Sequence, residues 1–196
     1  MKYNIALADL RHKTVGRHSS YMPIAIGYVG SYAKSLCKDQ TEFSLFTDSD
    51  KLVPKLKTGK VDILGLSNYI WNAELSSAVA KFAKSINPKI ITIAGGPEFP
   101  TDNEEIQEYL IKRSELDFYV FNYEGEISFG YIIREILNGT PIEKMKSNPP
   151  PGVASLDKNN KLCKTNNPPR LKELDEIPSP ILSGMMDEFF NGEYMP

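Results

Sequence analysis

Strand-like and helix-like segments alternate five times between Ile5 and Leu137, and no other feature of the sequence limits the fold as strongly. The predicted strands at 61–67 and 89–94 are nearly continuous apolar runs rather than alternating apolar and polar ones. Because a strand of that kind is buried on both faces, these runs indicate a parallel sheet between two layers of helices. Five such units predict an open, doubly wound α/β sheet with right-handed crossovers.

The spacing of the units fits a flavodoxin-like or Rossmann-like sheet of five parallel strands, in the expected order 2-1-3-4-5. The strands are predicted at 5–8, 42–47, 61–67, 89–94 and 117–122. The helices are predicted at 21–36, 51–57, 73–86, 103–113 and 123–137. Asp48 or Ser49 is expected to cap the second helix, and Asn72 the third. The third helix carries one apolar stripe, formed by Leu75, Ala78, Val79, Phe82 and Ile86.

The character of the chain changes after Asn138. Three prolines and a glycine at 149–152 break the pattern, and two short strand-like runs then flank an Asn-rich turn, which predicts a β-hairpin. Four prolines between 167 and 180 predict an extended linker, since proline disfavours a helix there. We therefore divide the chain into a Rossmann-like domain over 1–145 and a hairpin with linker over 146–196.

Composition excludes several classes of partner. The chain has 23 basic and 25 acidic residues and a formal net charge of −2, so no concentrated basic face is available for nucleic acid. No apolar run approaches the roughly 18–20 residues of a membrane helix. Two cysteines in a chain of 196 residues indicate a reducing compartment. These observations predict a cytoplasmic protein that binds neither nucleic acid nor membrane.

The loops at the carboxyl ends of the strands are where an open α/β sheet binds ligands. After strand four, Gly95 and Gly96 lack side chains, so a ligand could approach the backbone closely. After strand three come Ser67, Asn68, Tyr69 and the single tryptophan, Trp71. The segment 123–126 opens the last helix with free backbone N–H groups and two acids. Turn formation and helix capping explain these residues equally well.

Taken in order, four segments resemble the N-terminal cobalamin-binding domain of radical S-adenosylmethionine enzymes. They are Ala-Leu-Ala-Asp-Leu at 6–10, Ile-Leu-Gly-Leu-Ser at 63–67, Ala-Gly-Gly-Pro at 94–97 and Asp-x-x-Val-x-x-Tyr-Glu-Gly-Glu at 117–126. The segment Leu-Asp-Glu-Ile-Pro-Ser-Pro at 174–180 is similar to a Leu-Asp-x-x-Pro-x-Pro segment that often precedes the radical domain. The resemblance covers nearly the whole chain.

The resemblance implies base-off cobalamin at the carboxyl edge of the sheet, with its dimethylbenzimidazole tail between sheet and helices. Gly95 and Gly96, helped by Gly65, would leave a slot for the tail, and Ser67 with the loop amides would hold the nucleotide phosphate or the corrin amides. The cofactor-binding residues implied are Asp9, Leu10, Arg11, His12, Gly65, Ser67, Asn68, Tyr69, Gly95, Gly96, Pro97, Tyr123, Glu124, Gly125 and Glu126. Small residues of the first helix would leave space beside the sheet or simply pack on it; these are Gly27, Gly30, Ser31 and Ala33.

One motif departs from the family. Cobalamin domains that bind cobalt through histidine carry Asp-x-His-x-x-Gly after the first strand, whereas here Arg11 stands two places after Asp9 and His12 comes one step late. The chain therefore resembles the branch without a histidine ligand, and we predict no metal-ligating residue in it. Arg11 or a residue of the 68–71 loop would cover the lower cobalt face. Cobalt ligation by His12 or His18 remains the less favoured alternative.

The chain also lacks the Cys-x-x-x-Cys-x-x-Cys motif that holds a four-iron cluster, and Cys37 and Cys163 cannot supply it. We interpret the chain as a fragment, inactive alone, whose parent carries a C-terminal radical S-adenosylmethionine domain, an iron-sulfur cluster and S-adenosylmethionine. The parent would transfer a methyl group or carry out a radical rearrangement. Two alternatives stay open. One is a non-enzymatic cobalamin-responsive or flavodoxin-like interaction module, and the other is a nucleotide-binding enzyme that uses Glu124 and Glu126.

Overall fold

The computed structural model describes residues 2–12, 22–121 and 123–190. Its strands are β1 (Tyr3–Ala8), β2 (Thr41–Phe46), β3 (Ile63–Ser67), β4 (Ile91–Gly95), β5 (Phe118–Val120), β6 (Val153–Leu156) and β7 (Leu162–Lys164). Its α-helices are α1 (Ile24–Cys37), α2 (Ser49–Lys57), α3 (Ala73–Ile86), α4 (Asn103–Lys112), α5 (Gly125–Leu137) and α6 (Ile142–Ser147). None of the helices in these described ranges is long and apolar enough to cross a membrane.

All seven strands belong to one sheet, in the order β2-β1-β3-β4-β5-β6-β7. The first five pair in parallel, which confirms the α/β fold and the expected order 2-1-3-4-5. The predicted hairpin, β6 and β7, is not separate from the sheet but extends it, with β6 antiparallel to β5. Val153 and Ala154 of β6 are fully buried beside β5, so the hairpin covers an apolar edge that would otherwise face water.

Two helix layers cover the sheet. Because side chains alternate along a strand, Ile5 and Leu7 point to one face and Ala6 and Ala8 to the other. The first face packs against α1 and α5, and the second against α2, α3 and α4. Helices α1 and α5 approach closely at Gly130, where a Cβ would stand 2.9 Å from Leu36 and 3.0 Å from Tyr32.

The apolar stripe predicted for α3 is confirmed at three of its five positions. Val79 is buried and Leu75 and Phe82 pack half-buried against the same core, whereas Ala78 is exposed and Ile86 is 41% exposed. The helix also buries small side chains that the stripe does not include, namely Ala73, Ser76, Ser77, Ala80 and Ala83. Their hydroxyls find specific partners, since Ser76 donates to the carbonyl of Ser67 and Ser77 donates to the Glu115 carboxylate. Hydropathy does not reveal such partners, because a serine paired this way can lie in the core.

The helix starts follow the predicted caps with one difference. Asp48 is the N-cap of α2 and accepts a hydrogen bond from the backbone N–H of Asp50. Asn72 occupies the N-cap position of α3, but its side chain makes no capping hydrogen bond there. It points instead towards the ends of β1 and β3, where it donates to the carbonyl of Leu10 and to Ser67 Oγ.

Residues 179–190, here called the C-terminal strap, pack against α1. Met186 and Phe189 are buried in the same apolar core as α1 and α5. A Cβ on Gly27 would stand 2.8 Å from the Met186 sulfur, and one on Gly30 would stand 3.3 Å from the Met185 sulfur. The small residues at these two positions of α1 therefore seat the methionines of the strap.

An ion cluster centred on the buried carboxylate of Asp117 lies at the amino-terminal edge of the sheet. The Asp117 carboxylate, just before β5, lies 2.5 Å from Lys84 Nζ of α3 and 3.0 Å from Lys146 Nζ of α6. The backbone N–H of Thr92 donates to the same carboxylate at 2.9 Å. Burial alone would raise the pKa of Asp117, but the two ammonium groups and this hydrogen bond hold that pKa below its ordinary value.

Candidate functional site

A cavity of about 230 Å³ lies at the carboxyl ends of β1, β3, β4 and β5, between the sheet and the first turns of α1 and α5. It is lined by Leu7, Ala25, Ile26, Val29, Gly65, Leu66, Ser67, Tyr69, Ile93, Ala94, Gly95, Gly96, Val120, Tyr123, Gly125, Glu126 and Phe129. Cavities that enclose a drug-sized ligand span about 300–1,000 Å³, so this one holds a group of one or two rings rather than a macrocycle.

Strand register arranges the floor of the cavity in two rows. In the inner row, Gly65 pairs with Leu7 on one side and Ile93 on the other. These three residues define the inner row, which lies deeper in the sheet. In the outer row, Gly95 pairs with Ser67 and Val120. Residues two apart on a strand share a face and lie about 6–7 Å apart, so both rows face α1 and α5.

The glycines of the cavity serve different purposes. A Cβ on Gly65 would stand 2.6 Å from Leu7 Cδ2 and 3.3 Å from Phe129 Cε2, so this glycine lets Leu7 and Phe129 pack over the strand. At Gly95, a Cβ would stand 3.4 Å from Val120, which is contact distance without overlap. At Gly125, a Cβ would meet no atom within 4 Å. The open space thus lies beside Gly95 and Gly125, and side chains close it beside Gly65.

The backbone conformation at position 96 requires a glycine. Its φ is +142°, a conformation that other residues rarely adopt, and a Cβ there would stand 2.3 Å from the carbonyl oxygen of Asn68. The β3–α3 loop therefore lies directly against the β4–α4 loop. Gly96 borders the cavity, but this close approach accounts for the glycine whether or not a ligand is present.

A buried polar network joins the ends of β1 and β3 at the border of the cavity. The Ser67 hydroxyl donates to Asp9 Oδ1 at 2.6 Å, and Asn72 Nδ2 donates to Ser67 Oγ and to the carbonyl of Leu10, both at 3.1 Å. The backbone N–H of Tyr69 donates to Asn72 Oδ1 at 2.8 Å. Because the hydroxyl hydrogen of Ser67 is given to a carboxylate, Ser67 can offer a ligand only an acceptor lone pair.

Asn68 points to the opposite face of the sheet. Its Nδ2 lies 2.8 and 2.9 Å from the hydroxyls of Tyr119 and Tyr109 and 2.8 Å from the carbonyl of Glu98, and its two hydrogens are shared among these three acceptors. Burial raises the pKa of the Tyr119 phenol, which therefore stays neutral and donates in turn to the carbonyl of Gly96. Asn68 thus fixes the loops from behind the cavity.

Eight of the fifteen residues predicted to bind a cofactor line the cavity. They are Gly65, Ser67, Tyr69, Gly95, Gly96, Tyr123, Gly125 and Glu126. Asp9 and Leu10 join through the polar network, and Arg11 lies 3.9 Å from Asp9 Oδ2. His12 and Pro97 are exposed and do not line the cavity.

The remaining predicted residues are Asn68, described above, and Glu124, which lies 3.4 Å from Arg170 and does not border the cavity. His18, the other histidine considered as a cobalt ligand, falls outside the described residues.

Sequence reasoning missed the apolar wall and Asn72. The wall is formed by Leu7, Ile26, Val29, Ile93, Val120 and Phe129. Apolar strand and helix residues of this kind are ordinary core residues by pattern alone. The usable signal was position, since Leu7 and Ile93 share a face with the loop residues that follow their strands. Asn72 was assigned only to helix capping, whereas its amide organises Ser67 and the Tyr69 backbone.

Two tyrosines at the mouth of the cavity, Tyr69 and Tyr123, and the two residues that follow Tyr69 are here called the rim. The rings of Tyr69 and Trp71 stack with centroids 4.6 Å apart. Trp71 is 53% exposed, Ile70 78% and Tyr123 91%. An exposed apolar rim beside a cavity is typical of a surface that contacts a ligand or a partner.

These features define a cofactor-binding α/β domain. The walls are apolar, the polar groups stand at the outer row and the mouth, and the size suits a flat ring system that carries polar attachments. The B12 binding domain family matches residues 19–128, more than half of the chain. The chain belongs to this family.

Two curated relatives are methyltransferases by name, and the name of the first also says that it is a cobalamin-dependent radical SAM protein. The chain is 28% identical over 174 residues to the cobalamin-dependent radical SAM methyltransferase TokK of Streptomyces tokunonensis, covering 85% of this chain and 24% of that protein. It is 32% identical over 130 residues to 2-(S-pantetheinyl)-carbapenam-3-carboxylate methyltransferase of Streptantibioticus cattleyicolor, covering 64% and 17%. The chain thus spans about a quarter or less of the length of these relatives.

Solved structures agree on the fold. The cobalamin-dependent S-adenosylmethionine radical enzyme OxsB, with aqua-cobalamin and S-adenosylmethionine bound, matches with a TM-score of 0.65 at 16% identity, covering 96% of this chain and 25% of OxsB. The receiver domain of RcsB from Salmonella enterica serovar Typhimurium matches with a TM-score of 0.50 at 12% identity, covering 71% of this chain and 91% of that one. The chain is a cobalamin-binding domain related to cobalamin-dependent radical S-adenosylmethionine methyltransferases.

Proposed function

We propose that the chain binds cobalamin base-off, with the dimethylbenzimidazole tail in the cavity and the corrin over the carboxyl edge of the sheet. We further propose that it does so as the cobalamin-binding part of a longer radical S-adenosylmethionine methyltransferase. The observation that carries this proposal is the apolar cavity between the sheet and helices α1 and α5, open beside Gly95 and Gly125. Its volume suits one bicyclic base and leaves the corrin outside.

Each part of the site has a role in this proposal. Ile93 and Phe129 exclude water from the tail. Asp9 accepts the hydrogen bond that the Ser67 hydroxyl donates, so Ser67 Oγ accepts a hydrogen bond from a corrin amide rather than donating one to the phosphate. This favours the corrin amides among the two partners that the sequence suggested for Ser67. The loop containing Tyr69 and Trp71 would cover the lower face of the ring.

The chemistry belongs to the bound cofactor and to the rest of the longer protein. Cobalamin supplies methyl-group transfer, the reaction in the names of both curated relatives. The iron-sulfur cluster and S-adenosylmethionine would be held by a radical S-adenosylmethionine domain outside this chain. The exposed rim of Ile70, Trp71 and Tyr123 supports contact with that domain, because a partner would remove these side chains from water.

The direct test is a titration of the chain with hydroxocobalamin, followed by absorbance and gel filtration. We expect co-elution and a base-off spectrum. Cobinamide, which has the corrin but no nucleotide tail, is the matched control and should bind more weakly. A base-on spectrum, or equal binding of cobinamide, would contradict insertion of the tail. A nucleotide that binds where cobalamin does not would favour the nucleotide-binding alternative.

Replacing His12 by alanine should leave the cobalt environment unchanged. His12 is exposed and does not line the cavity, so the His12→Ala variant is expected to bind cobalamin with the same absorbance spectrum and an affinity within about twofold. The measurement is the visible spectrum of the complex at saturating protein. A shift of the cobalt bands in this variant would instead identify His12 as a ligand.

A further inference from the structure

The inner end of the cavity is apolar on every side. The sheet contributes the inner row to this end of the cavity, namely Leu7, Gly65 and Ile93, and the helices contribute Val29 and Phe129. Leu7, Ile93 and Phe129 are each at most 4% exposed. The backbone groups of the inner row lie in the β1–β3–β4 ladder, where parallel pairing engages them on both sides of Gly65.

The polar lining residues stand elsewhere. Ser67 belongs to the outer row, Tyr69 and Tyr123 to the loops, and Glu126 to the first turn of α5. Among the described residues that line the cavity, none offers a polar side chain to the inner row. Leu7 and Phe129 also fill the space where a Gly65 side chain would stand, which closes this end. A closed apolar end does not hold the water that could bridge to a buried polar group.

Resting on the proposed function, we propose that this inner end selects the base of the cofactor tail, accepting a benzimidazole-type base and rejecting a purine. A dimethylbenzimidazole presents a hydrocarbon edge with two methyl groups to the inner row. An adenine presents additional ring nitrogens and an exocyclic amino group. Those groups would lose their hydrogen bonds to water and find no replacement, which is the costly case for a buried polar group. Leu7, Ile93 and Phe129 are thus the specificity-determining residues.

The test compares three corrinoids on the full chain: cobalamin, the cobamide with adenine as its lower base, and cobinamide without a tail. Binding is measured by absorbance titration. We expect the adenine cobamide to bind roughly tenfold or more weakly than cobalamin, the penalty of about one unsatisfied polar group. Equal binding of the two complete cobamides, with cobinamide weaker, would overturn the selectivity and leave tail insertion standing. Equal binding of all three would overturn the proposed function as well.

Two variants of Ile93 test whether the inner row determines the selectivity between the two complete cobamides. Ile93→Thr introduces a hydroxyl into the inner row, and Ile93→Val removes similar bulk without adding a polar group. We expect the ratio of the two cobamide affinities to fall several-fold in Ile93→Thr and to stay at its original value in Ile93→Val. Thermal unfolding of both variants verifies that they fold. An identical ratio in the two variants would overturn the assignment of selectivity to the inner row.

Discussion

Replacing Gly95 by tryptophan is expected to weaken cobalamin binding about a hundredfold without disrupting the sheet. Gly95 does not have a positive φ, so another residue can adopt its backbone conformation. Its missing side chain faces the open part of the cavity, where an indole would take the place of the tail. Losing the burial of a bicyclic base, roughly 120 Å² at about 25 cal/mol per Å², corresponds to about 3 kcal/mol.

The measurement is a hydroxocobalamin titration of Gly95→Trp beside a variant with the same side chain elsewhere. Lys60→Trp is suited to this purpose, since Lys60 is exposed and lies before β3, at the edge opposite the cavity. Lys60→Trp should retain the original affinity. If Gly95→Trp also retains it, while both proteins unfold at the same temperature as the original chain, the tail does not occupy this cavity.

Replacing Asp117 by asparagine is expected to lower the free energy of unfolding by about 2–3 kcal/mol at neutral pH. The change leaves Lys84 and Lys146 without the carboxylate that they share. Removing one partner of a buried ion pair costs about 3–5 kcal/mol, and the cost is smaller here because both lysine side chains are between a fifth and a quarter exposed. Urea unfolding measures the loss. Glu108→Gln is the control, because Glu108 pairs with Lys112 on the surface and such pairs contribute about 1 kcal/mol or less. If Asp117→Asn lowers the free energy of unfolding no more than Glu108→Gln does, the ion cluster at Asp117 does not stabilise the fold.

The same residue predicts a pH dependence with a definite sign. The folded-state pKa of Asp117 is lowered, so its contribution is fully present above the unfolded-state pKa, near 3.9, and is lost as the pH falls through the folded-state pKa. The difference in unfolding free energy between the original chain and Asp117→Asn should therefore be constant from about pH 5 to 8 and shrink below pH 4. A difference that grows on acidification would contradict this interpretation.

The sheet could be predicted largely from sequence, because local patterns carry the necessary information. Strands β3 and β4 are continuous apolar runs, and that pattern requires burial on both faces. The hairpin was predicted as an element, but its pairing with β5 depends on Val120 meeting Val153, a contact that no local pattern encodes. The burial of Ser76 and Ser77 in helix α3 was missed for a related reason. These two serines are buried because the carbonyl of Ser67 and the carboxylate of Glu115 accept hydrogen bonds from their hydroxyls.

The candidate site was predictable where it consists of loops and not where it consists of core. Gly95 is the last residue of β4 and Tyr69 follows β3, and the sequence singled them out as a position without a side chain and a polar loop position. The roles of Asn68 and Asn72 could not be assigned, because strand alternation ends at Ser67 and the loop geometry decides which amide faces which layer. Leu7 and Phe129 have the same pattern as any buried apolar residue. Only the position of the empty space distinguishes them.

The C-terminal strap has a practical consequence for any attempt to move this domain between proteins. Met185, Met186 and Phe189 complete the core on α1, the helix that also supplies Ile26 and Val29 to the cavity. A chain that ends at residue 145 would lack the methionines that pack on Gly27 and Gly30, and this face of α1 would be exposed to water. Because α1 also forms one wall of the cavity, that wall would be less well supported. We therefore expect a transplanted module to need the chain through Phe189, and a chimera joined earlier to have a sheet with a less well supported pocket.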